Sequence, residues 1–279
     1  MSQNLIMLNL KHLALIFCLF FICHFSFAQL GFSHEIGIVA GPVQFRSDFG
    51  VREDSQTNFE NSGVGIGLLH YMNFAYSADC NCYTTDTYFN DHFKVRNEIS
   101  WNRTNLEHAG EFVDPSKTSA DANRLRAHTG VAQNLDIGTQ LEWFPLSIRS
   151  FQSYGYKFAP YLSLGAHFTS YSPKAKTVYN SPDPTVAFGD VFDAGNIYSF
   201  WVDDPSATYP INTNGGTTWS VVSSIGVRYK LGPLSDLLLD FRGQYYFNDW
   251  VDGLNHKLEY NKHNDWLLWL NFGYIYYLD

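Results

Sequence analysis

The sequence lacks any long hydrophobic run beyond its N-terminal region. After residue 28, no stretch of the 279-residue chain approaches the about 20 consecutive apolar residues that a membrane-spanning helix requires. If this part of the chain crosses a membrane, it must do so as a closed β-barrel, because hydrocarbon cannot satisfy the unpaired hydrogen-bonding groups of an open sheet edge. Membrane proteins built from spanning helices are therefore excluded for this region.

Cysteine and positive charge are scarce as well. Only two of the four cysteines, Cys80 and Cys82, follow residue 28, which is too few for the disulfide framework of a small secreted scaffold. We interpret the pair as a disulfide or a tether to a partner, because a lone Cys-x-Cys lacks the second ligand pair of a zinc site. The formal net charge of −9 argues against nucleic acid as a partner, since nucleic acid selects basic surfaces.

The N-terminus carries the features of an export signal. Lys11 precedes a short apolar run, Leu13–Ile22, and a small-residue site follows that ends at Ala28. This order predicts a signal peptide over residues 1–28 that is cleaved after Ala28, with an uncleaved anchor as the alternative. Residues 29–279 are then the mature chain and form one outer-membrane β-barrel domain.

The chain does contain repeated alternation of apolar and polar residues over segments of about 10 residues, the length of a transmembrane β-strand. In Leu135–Trp143, the odd-numbered residues are apolar apart from Thr139, and the even-numbered residues are polar or glycine. Large aromatic side chains fall at both ends of the segments, as expected where barrel strands meet the membrane interfaces. A secreted β-sandwich, the soluble alternative, has no reason to show this placement. The segments are Glu35–Gln44, Val64–Phe74, Phe93–Trp101, Leu135–Trp143, Phe158–Phe168, Trp219–Tyr229, Leu237–Phe247 and Trp266–Leu278.

These segments predict an all-β fold: a transmembrane, antiparallel, up-and-down β-barrel of eight strands in the bacterial outer membrane, with ten strands as the alternative. His70 interrupts the apolar face of its segment, which indicates either a β-bulge or a position near the membrane interface. With the N-terminus in the periplasm, the longer connections face outward. These outer loops are Arg46–Ser62, Thr104–Gly130, Tyr171–Gly216 and Asn248–Asn264.

The inner face of the predicted barrel is charged, with the two signs close to balance. An eight-stranded barrel is just wide enough for side chains to fill it. We therefore interpret the charged residues as a packed network of ion pairs and hydrogen bonds rather than a pathway for small solutes. They are Lys94, Arg96, Glu98, Asp136, Glu142, Arg228, Asp240 and Arg242.

Ser163, His167 and Glu142 are residue types that a hydrolase uses, but no local motif sets a base against a nucleophile. We predict no catalytic residue and interpret His167 as structural. No cofactor or metal site is predicted either, because the acidic outer loops lack the spacing of a calcium-binding loop.

The loop Tyr171–Gly216 is longer than a bare connection requires, and long ordered loops usually carry function. Its aromatic residues are expected to be exposed beside carboxylates, which suits a protein partner better than a small solute. The candidate partner-binding residues are Tyr179, Phe188, Phe192, Tyr198, Phe200 and Trp201.

Three features suggest a relationship to known proteins: the Phe27-Ala28-Gln29 junction, the aromatic strands, and the closing strand Trp266–Asp279. On these features the sequence resembles the small outer-membrane β-barrel proteins of Bacteroidota. Within that group it is similar to an uncharacterised family that carries Cys80-Asn81-Cys82 and then Tyr88-Phe89-Asn90-Asp91-His92-Phe93. The resemblance implies a barrel architecture and an outer-membrane location, and it implies no activity.

The expected function is that of a non-catalytic outer-membrane barrel. It would serve as a structural protein or as an accessory subunit of an export or assembly complex, and it would act through its loops. The alternatives are a membrane-embedded lipid-modifying hydrolase and a narrow solute channel. The expected partners are outer-membrane lipid and other outer-membrane or periplasmic proteins, and fold alone does not decide among these functions.

Overall fold

The computed structural model describes residues 32–74, 88–180, 196–201, 210–256 and 258–278. In these ranges no helix is both long enough and apolar enough to cross a membrane. The strands of the described part are β1 (Ser33–Arg46), β2 (Ser62–Asn73), β3 (Phe93–Glu107), β4 (His128–Trp143), β5 (Phe158–Tyr171), β6 (Lys174–Thr177), β7 (Gly216–Gly232), β8 (Ser235–Tyr246) and β9 (Trp266–Tyr277). Its α-helices are α1 (Tyr88–His92), α2 (Ala120–Ala127) and α3 (Ile148–Gln152), and 3₁₀ helices cover Gly110–Val113, Ser199–Trp201 and Glu259–Asn261.

The strands form one antiparallel sheet that closes on itself. Consecutive long strands pair with each other, and β9 returns to pair with β1, with Glu35 opposite Tyr277. Eight strands make the wall, because the short strand β6 only continues the sheet beside the first residues of β4. The predicted eight-stranded barrel is confirmed, and the described residues do not form the ten-stranded alternative.

The two ends of the barrel differ in their connections. At the turn end, β1 begins, β9 ends, and β7 joins β8 through a tight turn. At the opposite end, here called the loop end, the chain connects β1 to β2, β3 to β4, β5 to β7 and β8 to β9. Strands β3 and β4 stay paired as far as Glu107 and Thr129. The predicted loop Thr104–Gly130 is therefore shorter than expected, because its flanking residues lengthen this hairpin.

The barrel wall is apolar outside and polar inside, the reverse of a soluble protein. The outward side chains of Leu164 and Leu68 are 63% and 62% exposed, whereas the inward guanidinium groups of Arg96, Arg228 and Arg242 are fully buried. Strand residues alternate between the two faces, so the period-two sequence pattern sets which side chains enter the lumen. Such a surface is stable when lipid surrounds the wall.

His70 lies on the outward face without disturbing the sheet. Strand β2 pairs with β1 and β3 in an unbroken register, so the β-bulge considered from the sequence is absent. The imidazole is instead satisfied by neighbours on the same face: its Nε2 lies 3.1 Å from Nδ1 of His34, and its Nδ1 lies 3.3 Å from Nδ2 of Asn97.

Glycine makes room for large rings inside the narrow barrel. A Cβ atom added at Gly65 would lie 2.5 Å from the indole of Trp269, and one at Gly226 would lie 2.5 Å from the ring of Tyr161. Both rings are fully buried in the lumen. Pairing a residue without a side chain with a large ring fills the interior without strain on the wall.

Apolar clusters close both ends of the lumen. At the turn end, helix α3 and the chain before it bring Phe144, Ile148 and Phe151 against Tyr71 and Tyr161. At the loop end, buried residues from the strand ends and the connections form a second cluster. The charged centre of the barrel therefore lies between two apolar layers. The loop-end cluster consists of Val43, Phe45, Phe49, Leu106, Leu125, Ala132, Tyr171, Ala175, Ile197, Trp201, Ile211, Tyr246, Val251, Leu254, Leu267 and Trp269.

Arginine at the outward position Leu164 should destabilise the barrel by about 2–4 kcal/mol, because this side chain lies midway between Phe158 and Phe168, the aromatic residues near the two ends of its strand. The matched variant Gln133→Arg, outward at the loop end, should cost only about 0–1 kcal/mol. Urea unfolding in lipid vesicles measures both values, and equal costs would contradict the assigned membrane position.

Candidate functional site

The centre of the lumen is organised around Glu98. Both of its carboxylate oxygens accept hydrogen bonds from Arg242, each at 2.6 Å, and Oε2 also accepts from Arg96 at 2.8 Å. All three side chains are buried. A carboxylate that receives a two-pronged guanidinium bond is held in one orientation, so this group fixes the positions of β3 and β8 relative to each other.

A second ionic group lies toward the turn end. Glu35 accepts from Lys94 and, at 2.6 Å, from Nη1 of Arg228. Glu142 lies 3.3 Å from Nη2 of Arg228 and 3.5 Å from Nη1 of Arg96. Because Arg96 also reaches Glu98, the two ionic groups form one continuous network through the barrel.

Aromatic rings provide a second kind of contact for the buried guanidinium groups. The guanidinium of Arg228 lies 4.1 Å from the centre of the Tyr71 ring, and that of Arg242 lies 4.8 Å from the Trp269 ring. Such cation–π contacts strengthen when water is excluded. The cations of the lumen are therefore held in place by carboxylates and by ring faces together.

All eight lumen residues predicted from the sequence are buried, and seven of them belong to this network. The exception is Asp136, which accepts hydrogen bonds from Asn102, Thr169 and Gln244. Sequence reasoning missed Glu35, Lys230 and Asp236, which join the network near the turn end. Glu35 carried a usable signal, because it alternates with the outward residues of β1. Asp236 lies at the start of β8, just before the predicted segment Leu237–Phe247, so nothing in the alternation marked it.

Ser163, His167 and Glu142 do not form a nucleophile–base pair. The hydroxyl of Ser163 donates to Oε1 of Gln140 at 2.8 Å, and Nε2 of His167 lies 3.2 Å from Nε2 of the same amide. Gln140 thus lies between the two residues, and Glu142 is engaged with arginine instead. Among the described residues, no group of three or more His, Cys, Asp or Glu side chains is arranged to hold a metal ion.

A lid covers the loop end and is held by one guanidinium. We call this the loop-end lid: residues 47–61, 196–201 and 247–265 apart from residue 257. Nη2 of Arg52 contacts carboxylate oxygens of Asp48, Asp249 and Asp265 at 2.8, 2.7 and 3.1 Å. Burial alone would lower the pKa of Arg52, but Asp265, Asp48 and Asp249 raise that pKa above its ordinary value. The guanidinium therefore stays charged and ties two distant loops together.

Carboxylates outnumber cations in this lid. Asp252 is fully buried and accepts hydrogen bonds from the backbone N–H groups of Asp48 and Leu254 at 3.0 and 2.8 Å. Burial raises the pKa of Asp252 to about 7, against the opposing effects of the Leu254 N–H and of Arg52. Burial and the Asp252 carboxylate also raise the pKa of Asp48 and of Asp265 well above the ordinary range. Protons bound to these carboxylates therefore neutralise part of the negative charge in the lid.

Histidines and aromatic rings pack beneath the same lid. Phe49 stacks against His108 and His128 with ring centres 5.0 and 4.8 Å apart, and Trp201 stacks on His256 at 5.5 Å. Burial, together with His128 and His256, lowers the pKa of His108 well below its ordinary value. The neutral imidazole of His108 behaves here as a flat ring and completes the apolar layer. The cavity that remains among these rings has a volume of about 30 Å³, the space of a single water molecule.

The structure places the predicted partner-binding residues unevenly. Phe200 is 53% exposed, and Tyr179 and Tyr198 are half-buried. Trp201 is 7% exposed, so its predicted exposure is wrong: its ring covers His108 and His256 and belongs to the apolar cluster.

Several predictions concern residues outside the described ranges. Phe188 and Phe192 lie there, as do Cys80, Cys82 and the proposed signal peptide over residues 1–28. The partner-binding role of the two phenylalanines, the bonding of the two cysteines and the cleavage after residue 28 stay predictions.

A closed barrel with an apolar outside and a charged inside belongs in a lipid bilayer, because only lipid can cover that outside without cost. Antiparallel barrels with an even number of strands and long loops at one end are of the bacterial outer-membrane type. The chain is an outer-membrane β-barrel, and the predicted location is confirmed.

No protein-family model and no curated protein matches the sequence. The structure is similar to that of Neisserial surface protein A, with 13% identity, coverage of 88% of this chain and 98% of that chain, and a TM-score of 0.43. It is similar to Ail, the attachment invasion locus protein of Yersinia pestis, with 11% identity, coverage of 88% and 99%, and a TM-score of 0.40. A major outer membrane protein from Thermus thermophilus gives 13% identity, coverage of 88% and 99%, and a TM-score of 0.43. These likenesses concern the fold alone.

Replacing Glu98 by alanine should destabilise the barrel by about 3–5 kcal/mol, because Arg96 and Arg242 would lose their shared buried carboxylate. The matched variant Ser100→Ala, two residues along the same inner face, should be close to neutral because its hydroxyl has no hydrogen-bond partner within the described ranges. Urea unfolding in vesicles measures the free energy of unfolding. Similar losses for the two variants would rule out a stabilising role for the ionic network.

Raising the pH from 4 to 7 should loosen the wild-type lid relative to the Asp252→Asn lid. The closed lid keeps the Asp252 proton up to about pH 7, whereas the open lid releases it near the ordinary value of 3.8. The closed lid therefore binds more protons in this window, and its relative stability falls as the pH rises. The opening equilibrium should change by up to about tenfold per pH unit.

Hydrogen exchange at the Leu254 and His256 amides in both variants measures this effect. The comparison with Asp252→Asn isolates the contribution of Asp252, because every other lid residue is the same in both proteins. A wild-type to variant exchange ratio that is constant between pH 4 and pH 7 would show that Asp252 does not carry the extra proton.

Proposed function

We propose that this chain is a non-catalytic outer-membrane barrel that acts through the surface of its loop end, as an accessory subunit of an outer-membrane complex or as a structural protein. The observation that carries the proposal is the closed interior. Charged side chains and aromatic rings fill the lumen, and apolar clusters seal both of its ends. A protein of this construction offers its partners only the outside of the barrel and its two ends.

The filled lumen argues against the channel alternative. Trp269, Arg96, Arg228, Arg242 and Tyr71 are among the largest fully buried side chains, and all of them point into the barrel. A solute would have to break buried ion pairs that cost several kcal/mol to separate. The hydrolase alternative has no support from Ser163 and His167, because Gln140 separates them.

The loop end supports a protein partner. The lid is braced by Arg52 and packed on buried rings, so it holds its surface side chains in fixed positions. Aromatic side chains stand out from this surface, among them Phe59, which is 76% exposed, and Phe200, which is 53% exposed. Rigid, exposed aromatic rings are the residues that protein interfaces favour, whereas the cavity beneath the lid is too small for an organic ligand.

Photo-crosslinking in native membranes tests the proposal. A photoreactive phenylalanine analogue replaces Phe59 or Phe200 in the full-length protein, and the matched control replaces Phe241, which is 48% exposed on the lipid-facing wall. We expect a discrete protein adduct from the loop-end positions and only lipid adducts from Phe241. Heat-modifiable migration on gels shows that each variant is folded.

Two outcomes would overturn the proposal. One is the absence of a protein adduct at both loop-end positions in folded protein. The other is a cellular phenotype that persists when Phe59 and Phe200 are both replaced by serine but disappears in the double variant Ser163→Ala, His167→Gln. That second result would favour an enzyme in the lumen, because the loop-end surface is intact in that variant.

A further inference from the structure

A slot lies in the lipid-facing wall of the barrel, over β7, β8 and β9 near the loop end. Its volume is about 440 Å³, within the range of about 300–1,000 Å³ that is typical of ligand pockets. Outward residues of the three strands line it, so it opens toward the membrane and no function proposed above uses it. These wall residues are Val221, Ser223, Gly243, Tyr245 and Trp266.

The slot exists because Gly243 brings no side chain to the outer face of β8. The outward positions on either side of it hold Phe241 and Tyr245, which are large and are 48% and 40% exposed. The residue opposite Gly243 on β7 is Ser223, which is small as well. The wall is therefore thinner here than along the rest of the strand.

Nothing in the barrel itself requires a glycine at this position. A Cβ atom added at Gly243 would have its nearest contact at 3.9 Å, with Oγ of Ser223, whereas one added at any other glycine of the described strands would meet an atom at 3.2 Å or closer. The described glycines with a positive φ are Gly110 and Gly253, so Gly243 is not in the left-handed region. The pairing of β8 with both of its neighbours is regular around Gly243, so it marks no β-bulge.

A glycine inside a strand weakens that strand, because it has no side chain to pack and loses more conformational freedom on folding than any other residue. Packing, backbone conformation and a bulge do not explain Gly243. The remaining reason for a glycine in a strand is the close approach of another molecule. The residue therefore indicates that a ligand fills the slot from the membrane side.

The two aromatic walls of the slot are held in place by neighbours. Tyr245 and Trp266 lie opposite each other on β8 and β9. The guanidinium of Arg46 lies 5.6 Å from the centre of the Trp266 ring, and the ring of Tyr245 packs edge-on against that of Phe247, with ring centres 6.0 Å apart. Walls that are already ordered reduce the entropy cost of binding a ligand between them.

The slot has an apolar end and a polar end. Gly243 lies two residues, about 7 Å, nearer to the centre of the membrane than Tyr245, and aromatic rings at strand ends mark the boundary between hydrocarbon and head groups. Beyond the rings, the lining continues with Glu53, His263 and Asn264 of the loop-end lid. The slot therefore crosses this boundary, with its floor in the hydrocarbon and its rim at the level of the head groups.

We propose that this slot binds one acyl chain of a lipid in the leaflet at the loop end, with the polar part of the same lipid at the rim. The outer-membrane location sets lipid against this wall, and an acyl chain is slender enough to lie over a glycine between two rings. A neighbouring barrel fits less well, because Phe241 and Phe247, 48% and 56% exposed, project from the wall beside the slot and would hold its backbone away.

Native mass spectrometry of the detergent-solubilised full-length protein tests this inference. The probes are phosphatidylethanolamine with two palmitoyl chains and phosphatidylethanolamine with two hexanoyl chains. The test variants are Gly243→Leu and Gly243→Val, which fill the slot. The matched control is Ala40→Leu, which adds a leucine at an exposed outward position of β1, away from the slot. Heat-modifiable migration on gels confirms that each variant is folded.

We expect the wild type and the control to retain one palmitoyl lipid equally well. Its binding to Gly243→Leu should be about tenfold weaker or more, because the new side chain displaces methylene groups of the acyl chain from apolar contact. Undiminished binding to the folded test variants would overturn the proposal. Equal retention of the hexanoyl lipid would also overturn it, because recognition would then lie in the head group. A second copy of the protein that is retained by the wild type and lost from Gly243→Leu would replace the lipid as the occupant.

The urea midpoint of Gly243→Val in detergent provides an independent check. Because a Cβ atom at this position meets no close contact, valine should leave the midpoint unchanged or raise it. A lower midpoint than that of the wild type would show that the fold itself needs the glycine, and the argument for a ligand would fail.

Discussion

The structure depends on one constraint: charge inside a barrel that side chains fill must be neutralised by side chains from other parts of the wall. Eight strands leave an interior that side chains just fill, and an uncompensated charge there costs several kcal/mol. Glu98 of β3 meets Arg242 of β8, and Glu35 of β1 meets Arg228 of β7. Neither pair joins neighbouring strands. The ionic network therefore braces the barrel across its diameter, in directions that the backbone hydrogen bonds of the wall do not cover.

Buried charge must be neutralised at the loop end as well, but the lid has fewer cations than carboxylates. Arg52 is a single guanidinium among Asp48, Asp249, Asp252 and Asp265, so complete ionisation would leave excess negative charge in a dry environment. Burial raises the pKa of Asp252 to about 7, so a bound proton replaces part of the missing positive charge. The lumen, by contrast, holds nearly equal numbers of buried carboxylates and buried cations.

The sequence predicted the wall better than the ends, for a physical reason. Alternation with a period of two is local, so Leu135–Trp143 revealed both its outward and its inward residues, and the charged inner residues followed from it. The lid is built from contacts between distant parts of the chain. Asp48 accepts the backbone N–H of His256, and no local pattern relates positions that far apart. Trp201 was expected at the surface for the same reason: its burial depends on His256, which belongs to another loop.

Polar side chains on the lipid-facing side of the wall need hydrogen-bond partners, as those in the lumen do. Hydrocarbon satisfies a polar side chain no better than a packed interior does, so outward polar residues must find partners on the wall itself. His34 contacts His70, Asn97 contacts His70, and the hydroxyl of Thr139 donates to Oδ1 of Asn97 at 2.8 Å. These residues come from β1, β2, β3 and β4 and form one hydrogen-bonded row across four strands. The row explains why His70 needs no β-bulge, because the undisturbed register places each polar side chain opposite or beside its partner. A register shift of one residue in β2 would move the His70 side chain to the lumen face and break both of its contacts.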